Sequence, residues 1–238
     1  MRVHLFIPCF IDTLMPDVGK ATVEVLRRAG CEVIYPTGQT CCGQPAFNSG
    51  YTDQTRTVGR HMLDLFKDAE AVVAPSGSCS AMVKVFYPQV FAGTPDDARA
   101  NRLSEITWEL SDFLVNKLGV TDLGARFPHK VTIHDGCHGL RELKVKDQPR
   151  QLLAKVKDIE IVEMDEARTC CGFGGTFAVK FPAISNAMGQ VKCESAGRTG
   201  AEYVVSGDSS CLMHVQGYSD KNGPALKTIH LAQILASR

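Results

Sequence analysis

The sequence predicts an α/β protein made of two tandem, internally repeated three-layer units, each with a mostly parallel sheet. The first ground is a cysteine pattern that occurs twice: Cys9, Cys41-Cys42-Gly43 and Cys79, then Cys137, Cys170-Cys171-Gly172 and Cys211. Matching positions are offset by 128 (9 to 137), 129 (41 to 170, 42 to 171) and 132 (79 to 211). The second ground is the alternation of short β-branched apolar runs with stretches of helical spacing, the pattern of a parallel sheet with both faces covered. The third is composition: 44% hydrophobic and 22% charged residues suffice for a buried core.

In the first repeat, residues 3–8 form an apolar run read as a buried strand ending at Cys9. Residues 17–29 carry Val18, Ala21, Val25, Leu26 and Ala29 at helical spacing, and Gly30 is placed to stop that helix. Residues 32–35 read as the second strand, followed by the 37–40 turn that delivers Cys41-Cys42-Gly43. A helix over 53–67 (Val58, Met62, Leu65, Phe66) precedes a third strand at 71–74. Cys79 opens a helix running to Phe86, and a longer helix covers 104–118, with Ile106, Leu110, Phe113 and Leu114 on one side. Two glycines and a proline make 119–128 the expected linker, dividing the chain into domains 1–119 and 128–238.

The second repeat restates that order. It has a strand at 131–134, a helix over 143–156, a strand at 159–163, a helix over 182–197, a strand at 203–205 and a closing helix at 229–236. Every quartet cysteine follows a predicted strand. Ligands in such folds gather beyond the carboxyl ends of the strands, so each quartet is expected to converge at one edge of its own sheet.

Lys+Arg and Asp+Glu balance at 26 each, which argues against nucleic acid or an anionic membrane as the main partner. No apolar run is long enough for a transmembrane segment, and the opening run is too short for a signal peptide. The expected compartment is the cytosol, where cysteines act as metal-binding or redox groups rather than as a disulfide framework. Four convergent thiolates suit an iron–sulfur cluster or structural zinc. The expected metal and cofactor ligands are therefore Cys9, Cys41, Cys42, Cys79, Cys137, Cys170, Cys171 and Cys211. Cys31 and Cys193 have no counterpart and read as core residues. His138 and His214, near the second quartet, are candidates for ligand, hydrogen-bond donor or proton carrier. Asp135 reads as a turn or capping residue, and Arg141, Lys144 and Lys146 as a solvated face. The run Gly172-Phe173-Gly174-Gly175 lacks the full dinucleotide fingerprint, and its glycines are read as allowing the backbone to approach a cluster.

Together with Ile7-Pro8-Cys9, Gln44-Pro45, Ser76-Gly77-Ser78-Cys79 and His134-Asp135-Gly136-Cys137-His138, this pattern resembles the cysteine-rich CCG domain. That family includes the cysteine-rich component of heterodisulfide reductase, the iron–sulfur component of glycolate oxidase, and lactate-utilisation proteins of two CCG domains. The resemblance spans nearly the whole chain. It implies an iron–sulfur oxidoreductase subunit in the oxidation of L-lactate to pyruvate, with two other lactate-utilisation proteins as partners. The family signature ends in Cys-x-x-Cys, and its fifth cysteine supports a non-cubane cluster; here Ser76 and Asp208 stand at that position. Four ligands per site instead suit one or two ordinary [4Fe-4S] clusters, or zinc in one half, with Asp208 a candidate oxygen ligand. No hydride-abstracting base or flavin motif is visible, which makes electron carriage the expected role. The alternatives are a thiol–disulfide oxidoreductase and a zinc-stabilised scaffold without redox chemistry.

Overall fold

A computed structural model describes residues 1–238. Two four-stranded sheets form, and every strand pair in them is parallel. The first sheet contains β1 (Arg2–Leu5), β2 (Glu32–Ile34), β3 (Val72–Ala74) and β4 (Thr107–Glu109), in the order β2-β1-β3-β4. The second contains β5 (Lys130–Ile133), β6 (Glu160–Ile161), β7 (Tyr203–Ser206) and β8 (Lys227–His230), in the order β6-β5-β7-β8. Helices cover the sheets, as parallel strands joined by crossovers require. The predicted fold class holds in both repeats.

Several elements follow from local sequence. Pro16 sits in the first turn of the Pro16–Arg28 helix, where its missing N–H costs nothing. Gly30 takes φ +80° just beyond that helix, as a terminating glycine does. The Thr52–Leu65 and Pro182–Arg198 helices lie where the apolar spacing placed them.

The fourth strands correct the reading. The helix expected over 104–118 is interrupted: a helix Asp97–Ile106 ends, β4 pairs with β3, and helical structure resumes at Leu110. The Thr107 hydroxyl still bonds the Leu103 carbonyl at 2.7 Å, so apolar residues keep helical spacing across the break. At the other end, residues 227–230 form β8 before the Leu231–Ala236 helix. The helix expected over 143–156 shortens to Asp147–Leu153, because Lys144 adopts φ +60° and turns the chain.

One apolar cluster spans both repeats, combining Val3, Leu5, Val25, Leu110, Phe113 and Leu114 with Val131, Ile133, Leu152, Leu153, Leu231 and Leu235. Each fully buried side chain of this size contributes about 1.5–3 kcal/mol. The Leu231–Ala236 helix packs on Pro16–Arg28 of the first repeat, and Leu110–Asp112 packs on Asp147–Leu153 of the second. Arg28 ties the first contact by donating to the Ala236 carbonyl at 2.6 Å and the Leu235 carbonyl at 3.3 Å.

Glu109 ends β4 as a buried N-cap. Its carboxylate accepts from the Ser111 N–H at 2.8 Å, the Asp112 N–H at 3.1 Å and the Ser111 hydroxyl. Burial is the main cause that pushes this carboxyl up to about 7, with Asp208 adding repulsion. A raised folded-state value means the native protein holds a proton that the unfolded chain releases near 4.5. Stability from this group is therefore full below about 4.5 and lost as pH rises towards 7. Glu109→Gln should remove up to about 3 kcal/mol of that fall, read as a flatter pH profile of the denaturant midpoint in the variant than in the wild type between the two pH values. Parallel pH profiles would show that Glu109 titrates alike in both states.

Candidate metal centre

The eight quartet cysteines are brought to the carboxyl ends of their strands. Cys9 begins the Cys9–Leu14 helix beyond β1, and Cys137 begins Cys137–Arg141 beyond β5. The Cys-Cys pairs lie in the loops beyond β2 and β6, while Cys79 and Cys211 lie in the helices that follow β3 and β7.

Within each repeat the thiols touch in the same linear order. Cys9 meets Cys41, Cys41 meets Cys42, and Cys42 meets Cys79 with its sulfur 3.5 Å away. In the second repeat Cys137 meets Cys170, Cys170 meets Cys171, and Cys171 meets Cys211. Donation from Cys42, then from Cys9, pulls the Cys41 thiol far below its ordinary range. Cys170 is pulled down in the same way, first by Cys137 and then by Cys171, and the donating partners are pushed up. Such a set suits a metal, which replaces shared protons among crowded sulfurs.

The glycine of each Cys-Cys-Gly run has a backbone role. Gly43 and Gly172 take φ +85° and +97°, and each directs its N–H at the sulfur two residues earlier, 3.4 Å away. A Cβ on Gly172 would lie 2.6 Å from the Ser185 carbonyl oxygen, so shape as well as φ requires glycine. The Phe173 N–H donates to Cys171 at 3.5 Å. Backbone donors to sulfur stabilise thiolates and raise the potential of a bound cluster.

Both quartets open into one cavity of about 210 Å³, which all eight cysteines line. Phe10 and Phe173, from different repeats, line it and meet edge-on at 5.9 Å, and its lining residue His138 meets Phe86 of the first repeat at 6.1 Å. The two sites therefore belong to separate repeats yet face each other.

Ser76 and Asp208, at the places of the family's additional cysteines, meet across the repeats. The Asp208 Oδ1 accepts from the Ser76 hydroxyl at 2.9 Å, the Ser78 hydroxyl at 2.9 Å and the Ser78 N–H at 3.1 Å. Its Oδ2 lies where a Cβ on Gly136 or Gly77 would approach to 2.4 or 3.0 Å. The carboxylate read as a candidate metal ligand is thus engaged with the first repeat. Burial raises its pKa, and the serine donors oppose that shift.

The remaining candidates fall into place around the quartets. Cys31 and Cys193 are buried in apolar clusters. Asp135 forms a bidentate pair with Arg150, at 2.8 and 3.1 Å, and Arg150 also binds Glu163. His214 Nε2 lies 3.2 Å from the Ser185 carbonyl, next to Gly172. His138 lines the cavity.

Two groups had no role assigned from the sequence. Lys192 is fully buried, with its ammonium on the Glu166 carbonyl and 3.4 Å from that of Ala167. Desolvation lowers its pKa, while Cys171 and Cys211 act to keep it charged, so it offsets negative charge on the second quartet. It shares the buried face of its helix with Ser185, Gly189 and Ala196, small residues without an apolar period, so the sequence carried no signal for it. His134 is the other. Burial pushes its imidazole down to about 3, with Lys192 adding to the effect; the Ala167 carbonyl lies near the ring, but neither ring nitrogen completes a hydrogen bond.

Two α/β units, each presenting a Cys, Cys-Cys-Gly, Cys set to a shared opening, define a tandem cysteine-rich protein with paired thiolate sites. The cysteine-rich CCG domain family matches residues 3–84 and again residues 131–216, and the chain belongs to that family. Relatives named lactate utilization protein A match it along its length. The protein of Oceanobacillus iheyensis is 48% identical over 236 residues, covering 99% of this chain and 96% of the relative. That of Bacillus subtilis is 45% identical over 239 residues, covering all of both. A crystal structure of a hypothetical protein from Helicobacter pylori shares the fold, with a TM-score of 0.70 at 12% identity. The match covers 98% of this chain but only 48% of that one.

Proposed function

We propose that this chain is a cytosolic iron–sulfur redox subunit that takes part in the oxidation of L-lactate to pyruvate, together with two partner proteins. The observation that carries the reading is the convergence of two like-ordered thiol quartets on one cavity. The names of the full-length relatives supply the lactate context.

Cys9, Cys41, Cys42 and Cys79 would hold one cluster, and Cys137, Cys170, Cys171 and Cys211 the other, with four thiolates matching the ligand number of [4Fe-4S]. Bound there, the clusters would supply one-electron steps for the two electrons released per lactate. The protein's own part is electrostatic and steric. The Gly43, Gly172 and Phe173 N–H groups donate to sulfur, and Lys192 offsets charge in the second half. The Phe10–Phe173 pair places apolar surface from both repeats at the cavity wall. No helix of the chain is long and apolar enough to cross a membrane.

The cavity also favours a second reading. Cys9 is exposed and the opening lies between both quartets, so a disulfide substrate could enter and be reduced by two electrons and two protons to two thiols. Iron, sulfide and zinc analysis of protein purified without oxygen, with electron paramagnetic resonance, tests the leading reading. Iron with matching acid-labile sulfide and a signal on reduction is the expected result. A colourless protein containing only zinc would overturn it, and disulfide turnover by the reduced protein alone would favour the second reading.

A further inference from the structure

The second quartet has a neighbour that the thiolate pattern does not account for. A ring nitrogen of His134 and the sulfurs of Cys171 and Cys211 all lie within 4.8 Å of one another. The imidazole is only 2% exposed, and both of its nitrogens lack a hydrogen-bond partner. Leaving such a group unsatisfied costs roughly 1–3 kcal/mol. A bound ligand at that nitrogen would remove the penalty.

The fold does not need histidine there. The equivalent residue of the first repeat is Phe6. Each of the two directly follows the first strand of its repeat and stands three residues before the first cysteine. Each donates its backbone N–H to the matching valine of the third strand, Phe6 to Val73 at 2.9 Å and His134 to Val205 at 2.8 Å. Phe6 fills its place by packing edge-on against Phe66, with centroids 6.1 Å apart. One scaffold position therefore holds a hydrocarbon ring behind the first quartet and a nitrogen donor behind the second.

We propose that His134 is a nitrogen ligand of the metal held by the second quartet, so that this site is mixed thiolate–imidazole while the first is all-thiolate. The proposal rests on the reading of the quartets as metal sites. Neutral imidazole beside Cys171 and Cys211 suits a borderline ion such as zinc or iron. As a neutral donor it adds a ligand to the second site without adding negative charge, and no such donor stands behind the first. The two halves of the chain would then differ in metal preference.

The test uses the full chain, stripped of metal without oxygen and loaded with cobalt(II). Cys41→Ser with Cys42→Ser silences the first quartet. Pulsed paramagnetic resonance should detect an imidazole nitrogen coupled to the cobalt. In His134→Phe that coupling should vanish, the d–d bands should move to longer wavelength, and cobalt should bind about tenfold more weakly or worse. Phenylalanine is the residue that the first repeat already carries, and a thermal melt checks that the variant folds. Should the double-serine background fail to fold, the comparison is made in the otherwise unaltered chain, where only the second site has this nitrogen. Cobalt bound without nitrogen coupling, or coupling that survives His134→Phe, overturns the proposal and leaves the metal reading standing. Failure of the second quartet to take up cobalt overturns both.

Discussion

Asp208→Ala is expected to lower stability by about 1–3 kcal/mol, the range for leaving buried hydrogen-bond donors without their acceptor. Three donors of the first repeat lose their acceptor at once: the Ser76 hydroxyl and both the hydroxyl and N–H of Ser78. The void left against Gly77 and Gly136 adds to the loss. Asp208→Asn keeps one acceptor oxygen and should cost less, and Ser76→Ala should cost about 1 kcal/mol. A double-mutant cycle between Ser76 and Asp208 should show a coupling of about 1 kcal/mol or more, because the two touch. Metal analysis of Asp208→Ala adds a second readout. A tie between repeats predicts weaker retention by both quartets, since Ser78 precedes Cys79. Loss confined to the second quartet would identify Asp208 as a ligand, and a denaturant midpoint close to wild type would remove its structural role.

Cys42→Ser and Cys171→Ser should each abolish metal binding in their own quartet. Each is the most buried member of its quartet and joins its preceding cysteine to the last one, Cys41 to Cys79 and Cys170 to Cys211. A serine oxygen there breaks the thiol set at its centre. Metal content should fall by the load of one site, and thermal stability should fall with it, because metal binding contributes directly to folding free energy. The spectrum of the remaining site should shift slightly, since the same cavity is lined by both quartets. Complete metal loss from either single change would show that the quartets act as one site.

The parts of this molecule that repeat were legible, because a duplicated cysteine pattern fixes both the unit and the side of the sheet on which its ligands lie. The fourth strands were not. Thr107–Glu109 spans three residues, and Leu103, Thr107 and Leu110 keep helical spacing through it, so local periodicity continued where the backbone did not. Pairing with Val72–Ala74 decides that segment, and no local window contains it. The meeting of Ser76 with Asp208 was hidden for a related reason. Each stood out as a departure within its own copy, but their contact spans 132 positions and depends on how the copies face each other. His134 was visible as part of a motif, yet its meaning came only from finding Phe6 in the same scaffold position.

The apolar cluster common to both repeats also bears on how the chain can change over time. Gly136 and Gly77, on different copies, are both held small by one carboxylate, and the closing helix of one copy seats on the first long helix of the other. A substitution tolerated by an isolated copy must here also suit its twin. Duplication supplied two sites free to diverge in their donors, while the shared interior obliges the two copies to be inherited, and altered, as a pair.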